Sequence, residues 1–293
     1  MTDNADNADL LAAEQFSHGS ELPANMRPAS RLRALHRNPL VLANAWDAAS
    51  AVAVARAGAT AIATTSAGIA WSCGLPDGHH ISRENMIDVV RRIIDAVELP
   101  VSVDIENGYG PDPVDVAETV EQIVAAGAAG INLEDSRSAD QPLHSPGEQA
   151  ARICAARAAA ERAGAPDLVV NARTDVYFSR KRPVSDPFAE VLARARAYAA
   201  AGADCLFVPG LLDLPTLERL AAAAPLPINA MTGPGGPSVA RLIEAGVRRI
   251  SLGPALHLAA QAAVHRAATE FLRAGTFDAF ADATTIAAAI MRT

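Results

Sequence analysis

The chain carries a single lysine, Lys181, among its 293 residues, and that scarcity removes several chemistries at once. A phosphate-gripping Walker A loop requires Gly-Lys-Ser/Thr, which is missing. Imine catalysis and covalently held pyridoxal phosphate also require a lysine, and Lys181 stands in an Arg-rich, Pro-flanked stretch that reads as a surface loop. The three cysteines, Cys73, Cys154 and Cys205, are widely spaced and form no Cys-x-x-Cys, so neither a disulfide framework nor a zinc knuckle is encoded. A reducing cytoplasm fits that usage, and Cys154 and Cys205 read as small buried apolar residues. Aromatics are few, with 7 Phe, 2 Trp and 3 Tyr, which disfavours an aromatic-rich β-sandwich. Positive charge is in deficit: 25 basic against 33 acidic residues leave −8, and no basic run exceeds Ser179-Arg180-Lys181-Arg182. Nothing there offers DNA or RNA an electrostatic footprint. Long apolar runs are lacking too, because the charge-free stretches 57–76 and 220–240 are broken by Gly, Pro, Thr and Asn, so no membrane helix is expected. The polar start, Met1 to Asp9, has neither the cationic nor the apolar region of an export signal, which predicts a cytoplasmic protein.

What is present is alternation. Short aliphatic runs at 40–45, 60–65, 101–105, 131–133, 168–171, 205–208, 227–230 and 249–252 read as strands. Between and after them, helical periodicity covers 47–56, 83–97, 113–126, 147–163, 187–201, 215–223, 238–245 and 255–273. An Ala-Gly or Ala-Gly-Ala punctuation recurs at Gly58, Gly127, Gly202 and Gly246, where glycine supplies a left-handed helix end just before a strand. Strands too apolar to leave one face wet imply a parallel sheet covered by helices. Eight such units predict a closed (β/α)8 TIM barrel, and a doubly wound open sheet is the alternative, weakened because no Gly-x-Gly-x-x-Gly follows the first strand. Residues 1–28 read as a flexible N-terminal segment with a leading helix, and 29–293 as one barrel domain with a C-terminal helical extension.

In such barrels the site is built at the C-terminal ends of the strands. That filter selects Asn44, Trp46, Asp47, Ser66, Asp104, Glu106, Glu134, Asp135, Arg173, Asp175 and Asn229. Asp47, Asp135 and Asp175 also fit simple helix capping or loop structure. Asp104 and Glu106, two apart, share a face, and Glu134 from the neighbouring strand completes a nest of three carboxylates. Oxygen donors without a His or Cys set suit Mg²⁺ or Mn²⁺ better than zinc, and Arg173 would set a forked cation beside the metal. A structural network of caps and Arg pairs remains the other reading of the cluster.

Five motifs in order carry a resemblance: Thr65-Ser66-Ala67-Gly68-Ile69-Ala70, Gly74-Leu75-Pro76-Asp77, Asp104-x-Glu106-x-Gly108-Tyr109-Gly110, Gly130-Ile131-Asn132-Leu133-Glu134-Asp135 and Asn171-Ala172-Arg173-Thr174-Asp175. In spacing they resemble the isocitrate lyase/phosphoenolpyruvate mutase superfamily over about residues 30 to 270. The resemblance implies that Mg²⁺ is held by Asp104, with Glu106 and Glu134 acting largely through water. It implies that the turn Ser66, Ala67 and Gly68 binds a substrate carboxylate, that Arg173 stabilises negative charge and that Asp77 lies in the active-site loop. Trp46 and Asn229, at strand ends, are added as substrate-binding candidates. A homotetramer, with the eighth helix exchanged between paired subunits, is implied in the same way.

The chain departs from the pattern in three places. Glu106 replaces a shorter aspartate. The loop after the fourth strand, Ser136 to His144, carries neither the cysteine that serves lyases as proton donor nor the asparagine of the mutases, leaving His144 or a water as the acid. Val208-Pro209-Gly210 stands where lyases have a glutamate. The expectation is a Mg²⁺-dependent carbon–carbon lyase or decarboxylase acting on a small 2-oxo or 2-hydroxy dicarboxylate through an enolate-like species. A phosphonate mutase or hydrolase, a class II-type aldolase and a barrel that binds a carboxylate without turnover are the alternatives. Gly233-Pro234-Gly235-Gly236-Pro237-Ser238 reads as a rigid turn rather than a phosphate cradle, and His79-His80 as loop residues.

Overall fold

The computed structural model describes residues 23, 25–137, 141–178 and 184–281. Residues 1–22, 24, 138–140, 179–183 (with Lys181) and 282–293 lie outside the described residues, so the expectations of a flexible N-terminal segment and of a surface loop at Lys181 fall there. The alternation closes into a barrel of eight parallel strands in sequence order, the first pairing with the last. They are β1 (Leu40–Ala45), β2 (Ile62–Thr64), β3 (Val101–Asp104), β4 (Gly130–Glu134), β5 (Val169–Arg173), β6 (Cys205–Phe207), β7 (Ile228–Met231) and β8 (Arg249–Ser251). A leading helix, α1 (Pro28–Leu35), precedes them. The wrapping helices are α2 (Ala48–Arg56), α3 (Ser66–Ser72), α4 (Arg83–Asp95), α5 (Pro113–Ala125), α6 (Pro146–Arg162), α7 (Pro187–Ala200), α8 (Leu214–Ala223), α9 (Val239–Glu244) and α10 (Ala255–Ala274). Helix α3 is absent from the periodicity reading, because seven residues that include a glycine are too few to show a helical period.

Strand residues that point outward, among them Ile62, Val103, Ile131, Val170, Leu206 and Ile250, meet the helices in one core. Inward-pointing Leu40, Leu42, Ala63 and Val169 form a second cluster at the barrel floor, plugged by Leu32 of α1. Leu32 is wholly buried, which contributes roughly 1.5–3 kcal/mol by removal of its side chain from water. Gly130 is required for that plug, since a Cβ there would stand 2.8 Å from Leu32 Cδ2 and 2.9 Å from the Val169 carbonyl oxygen.

The four glycines of the recurring punctuation all have positive φ, from +85° at Gly246 to +95° at Gly127. Asp47 caps α2, accepting the Ser50 N–H at 2.7 Å. Cys205 is buried as expected, but Cys154 is exposed, because it falls on the solvent side of α6 while Ile153 and Ala156 take the core face. Helix α10 is unlike the others: of its 20 residues only His257 is buried, and Leu258 and Leu272 are 53% and 78% exposed. No described helix is long and apolar enough to cross a membrane.

Candidate active site

The C-terminal mouth of the barrel opens into a cavity of about 540 Å³. Asp77, Asp104, Glu106, Glu134, Arg173, Ser66, Ala67 and Asn229 all line it. Strand register explains part of this. Asp104 is in register with Asn132 on β4, and Glu134, two residues on, is in register with Arg173 on β5. The Glu134 and Arg173 side chains therefore meet at the rim, Nη1 to Oε2 at 2.9 Å. Arg173 also grips Asp175 through Nε and Nη2, at 2.6 and 3.0 Å, and lies over the rings of Phe178 and Phe207.

Asp104 is held by three donors: the Ser66 N–H at 3.1 Å, the Asn132 amide at 3.0 Å and the Glu106 N–H at 3.3 Å. Ser66 to Gly68 form the first turn of α3, whose N-cap Thr65 accepts the Gly68 N–H at 3.5 Å. With Ser66 engaged by Asp104 and Gly68 by Thr65, the Ala67 N–H is the open donor of the turn, at the positive end of the helix. Asn229 lies deep in the cavity with its amide committed to protein partners, donating to Ser251 Oγ at 3.2 Å and accepting from Asn171 at 3.0 Å. Trp46 does not line the cavity. The chain leaves β1 at Ala45 to reach the cap at Asp47, and the Trp46 ring packs edge-on against His257, centroids 4.9 Å apart, beside α3. The Gly233 to Ser238 segment is a turn closed by Gly236 N–H on the Gly233 carbonyl at 2.9 Å, outside the cavity lining.

The acidic side chains experience different environments. Glu134 is drawn down to about 2: burial works against its charge, but Arg173, His79 and Ser136 outweigh it. Glu106 goes the other way. It lies past the end of β3 at φ +49°, is 3% exposed, and neither carboxylate oxygen has a partner. Burial first, and then repulsion from Asp104, Glu134 and Asp77, push it from 4.5 to about 8. Asp77, at the mouth, is raised by burial and by the same neighbours. Asp175 rises to about 6 through burial, against the pull of Arg173. Asp135 points away from the cavity and accepts from Arg194 and the Tyr198 hydroxyl, each at 2.8 Å.

Sequence reasoning missed His79. Its Nε2 donates to Glu134 Oε1 at 2.8 Å and lies 3.9 Å from Glu106, while Nδ1 accepts from the Asn107 amide at 3.0 Å. A φ of +67° at a non-glycine residue gave no periodic signal, although its place two residues after Asp77 was a clue. His144, weighed as a proton donor, is buried beside a separate cavity of about 510 Å³, and burial together with Arg152 and Arg137 lowers it to about 4. It is neutral there and stands outside the lining of the main cavity.

Two unpartnered, buried carboxylate oxygens beside Asp104 fit a hard cation, which would supply what Glu106 lacks. Among the described residues no three His, Cys, Asp or Glu side chains converge as a ready cage. That arrangement suits Mg²⁺, which keeps several waters and takes one or two carboxylates, better than zinc. The metal-free protein provides a check. Folded Glu106 keeps its proton up to about 8, whereas unfolded it loses it near 4.5, so the folded state binds more protons between those values and stability falls as pH rises, levelling off above about 8. The melting temperature of chelator-treated protein is expected to fall steadily from pH 6 to 8, and the fall is expected to flatten in Glu106→Gln.

The family model described as phosphoenolpyruvate phosphomutase matches residues 32–272. A solved structure from Burkholderia cenocepacia J2315, provisionally named a phosphonomutase, is 47% identical with a TM-score of 0.79, covering 85% of this chain and 98% of that one. The 2-methylisocitrate lyase of Salmonella typhimurium (strain LT2) is 35% identical over 210 residues, 69% of this chain and 68% of the lyase. A structure of 2,3-dimethylmalate lyase is 30% identical with a TM-score of 0.78, covering 90% and 95%. Motifs, closed barrel and matches agree: the chain belongs to the phosphoenolpyruvate phosphomutase family and is an enzyme of the isocitrate lyase/phosphoenolpyruvate mutase superfamily of Mg²⁺-dependent lyases, decarboxylases and phosphomutases.

Proposed function

We propose that this enzyme is a Mg²⁺-dependent lyase or decarboxylase that breaks a carbon–carbon bond in a small 2-oxo or 2-hydroxy dicarboxylate. The observation that carries the reading is the single cavity shared by Asp104, Glu106, Glu134 and Arg173. Asp104 would hold the metal directly, with Glu106 and Glu134 acting through its waters, and the bound ion would supply Lewis-acid stabilisation of charge developing on oxygen. The open Ala67 N–H at the start of α3, with Ser66 and Gly68 shaping the turn, would orient the substrate carboxylate. Arg173, fixed by Asp175 and Glu134, would meet the enolate-like charge with no reorganisation at the moment of reaction. Asp77 at the mouth would face incoming substrate. Without a loop cysteine the product carbon would take its proton from water or from a group at the mouth.

The test is a Mg²⁺-supplemented panel of oxo and hydroxy dicarboxylates, read by release of pyruvate and glyoxylate and by CO₂ evolution. Turnover on at least one member, lost in Asp104→Ala, is the expected result; full turnover and full metal affinity in that variant would overturn the mechanism. The 47% identity to the Burkholderia protein favours a second reading, phosphonate mutase or hydrolase chemistry. A phosphorus NMR change with phosphonopyruvate, with oxaloacetate inert, would reverse the order.

The exposed apolar side chains of α10 support a homo-oligomer. Leu258, Val264, Phe271 and Leu272 are all exposed on a helix that covers little of its own barrel. Replacing Phe271 and Leu272 together by glutamate is expected to lower the mass seen by size-exclusion light scattering to that of a smaller assembly while the barrel still folds.

A further inference from the structure

The same cavity reaches a second cation far below the rim. Arg249, the first residue of β8, points inward and is 2% exposed. Its Nη2 donates to Ser102 Oγ at 2.9 Å and its Nη1 to His36 Nε2 at 3.2 Å. The His36 ring can accept because its Nδ1 donates to the Leu32 carbonyl at 2.9 Å, and burial followed by the nearby Arg249 charge holds it neutral, at about 4. That leaves Nε of Arg249 without a partner and further N–H groups of the guanidinium unused. Among the described residues no carboxylate offsets this charge; burial lowers its pKa and only Cys205 acts in the other direction. A buried cation without a counter-ion is costly, and proteins ordinarily pair it.

The surroundings leave room for a ligand. Ala63 and Ser102, opposite Arg249, are small, and both line the cavity that also contains Asp104 and Arg173. Between rim and floor runs a belt of amides in which Asn171 donates to Asn132 and to Asn229, each at 3.0 Å, and Asn132 donates to Asp104. The acidic groups therefore stand above the belt and an uncompensated guanidinium below it.

We propose that the barrel floor at Arg249 is an anion subsite that receives a small carboxylate, which in a dicarboxylate substrate is the group farthest from the rim. The assignment to substrate rests on the lyase reading above; the subsite itself does not. One carboxylate would pair with Arg249 and the other would remain on the rim side of the same cavity, which Arg173 also lines. The guanidinium is already desolvated and fixed by Ser102 and His36, so binding an anion there recovers charge pairing with little ordering of the site.

Calorimetric titration with succinate and with butyrate, equal in chain length but carrying two and one carboxylates, tests the subsite without requiring turnover. The wild type is expected to bind succinate at least tenfold more tightly than butyrate. Arg249→Met is expected to weaken succinate at least tenfold while butyrate is unchanged, with Arg249→Lys between the two. Should Arg249→Met fail to fold, wild-type crystals soaked in bromide provide the second measurement, an anomalous peak against the guanidinium. A bromide peak with succinate affinity unaltered in a folded Arg249→Met would support the anion subsite and assign it to a free inorganic ion. Unaltered succinate affinity with no bromide peak would overturn the proposal, and so would a wild type that binds neither. A substrate panel without turnover would defeat the lyase reading and leave these binding results standing.

Discussion

Replacing Arg173 by methionine is expected to reduce kcat by roughly 10²–10³-fold, the usual loss when a preorganised donor to developing negative charge is removed. The guanidinium holds three roles at one strand end. It pairs with Glu134, grips Asp175 with two nitrogens and presents its face to Phe178 and Phe207. Methionine fills much of the same volume, so the loss would report charge rather than a cavity. Both carboxylates would then be buried without their cation, and breaking such a pair costs about 3–5 kcal/mol. Urea unfolding would measure that cost separately from the kinetics. A pH series adds a signature. Folded Glu134 is depressed to about 2, so its contribution is present above its unfolded value near 4.5 and is lost as pH falls toward 2. In Arg173→Met the largest pull on that carboxyl is gone, and the acid limb of the stability curve should become shallower. Arg173→Lys should recover part of the stability and little of the rate, because an ammonium cannot grip Asp175 and reach Glu134 at once.

Barrel closure and the acidic rim were legible because both depend on regular spacing. Periods of two and of about 3.6 residues marked the strands and helices, and the rule that barrel sites sit at strand C-termini selected Asp104, Glu134 and Arg173 directly. Glu106 lines the same cavity for a reason that strand spacing does not contain. An extended strand through residue 106 would put Asp104 and Glu106 on one face, whereas β3 ends at Asp104 and a positive φ turns Glu106 back into the cavity. Trp46 stands one residue past β1, on the way to the Asp47 cap, and its ring packs against His257 instead of lining the cavity. His79 and Arg249 were invisible for other reasons. His79 depends on an unusual backbone angle in a loop, and Arg249 is a charged residue at the start of a strand, where sequence alone favours solvent. Its inward direction follows only once the register fixes Asn229 opposite it.

Removing Arg194 is expected to destabilise the fold by about 3–5 kcal/mol, the cost of stranding one member of a buried pair. Asp135, at the end of β4, is completely buried and depends on this partner. It accepts from Arg194 Nη1 and from the Tyr198 hydroxyl, both projecting from α7, and from the Asp175 N–H at 3.0 Å. Arg194 also donates to the His144 carbonyl at 2.7 Å, and the His144 N–H closes on the Asp135 carbonyl at 2.8 Å. One ion pair thus ties the end of β4, the segment after β5 and the return of the loop that passes beside the cavity. Arg194→Met should lower the urea midpoint with little change in its slope. Asp135→Asn together with Arg194→Met should recover part of the loss, because no charge is then left buried alone, and a double-mutant cycle isolates the pair energy. The cycle also separates support from chemistry. Asp135 does not line the cavity, so the double variant, if its stability is restored, should keep its affinity for Mg²⁺ and lose rate only as far as Asp175 and Arg173 drift from their places. A double variant that regains stability but loses metal affinity by more than tenfold would place Asp135 in the metal site instead.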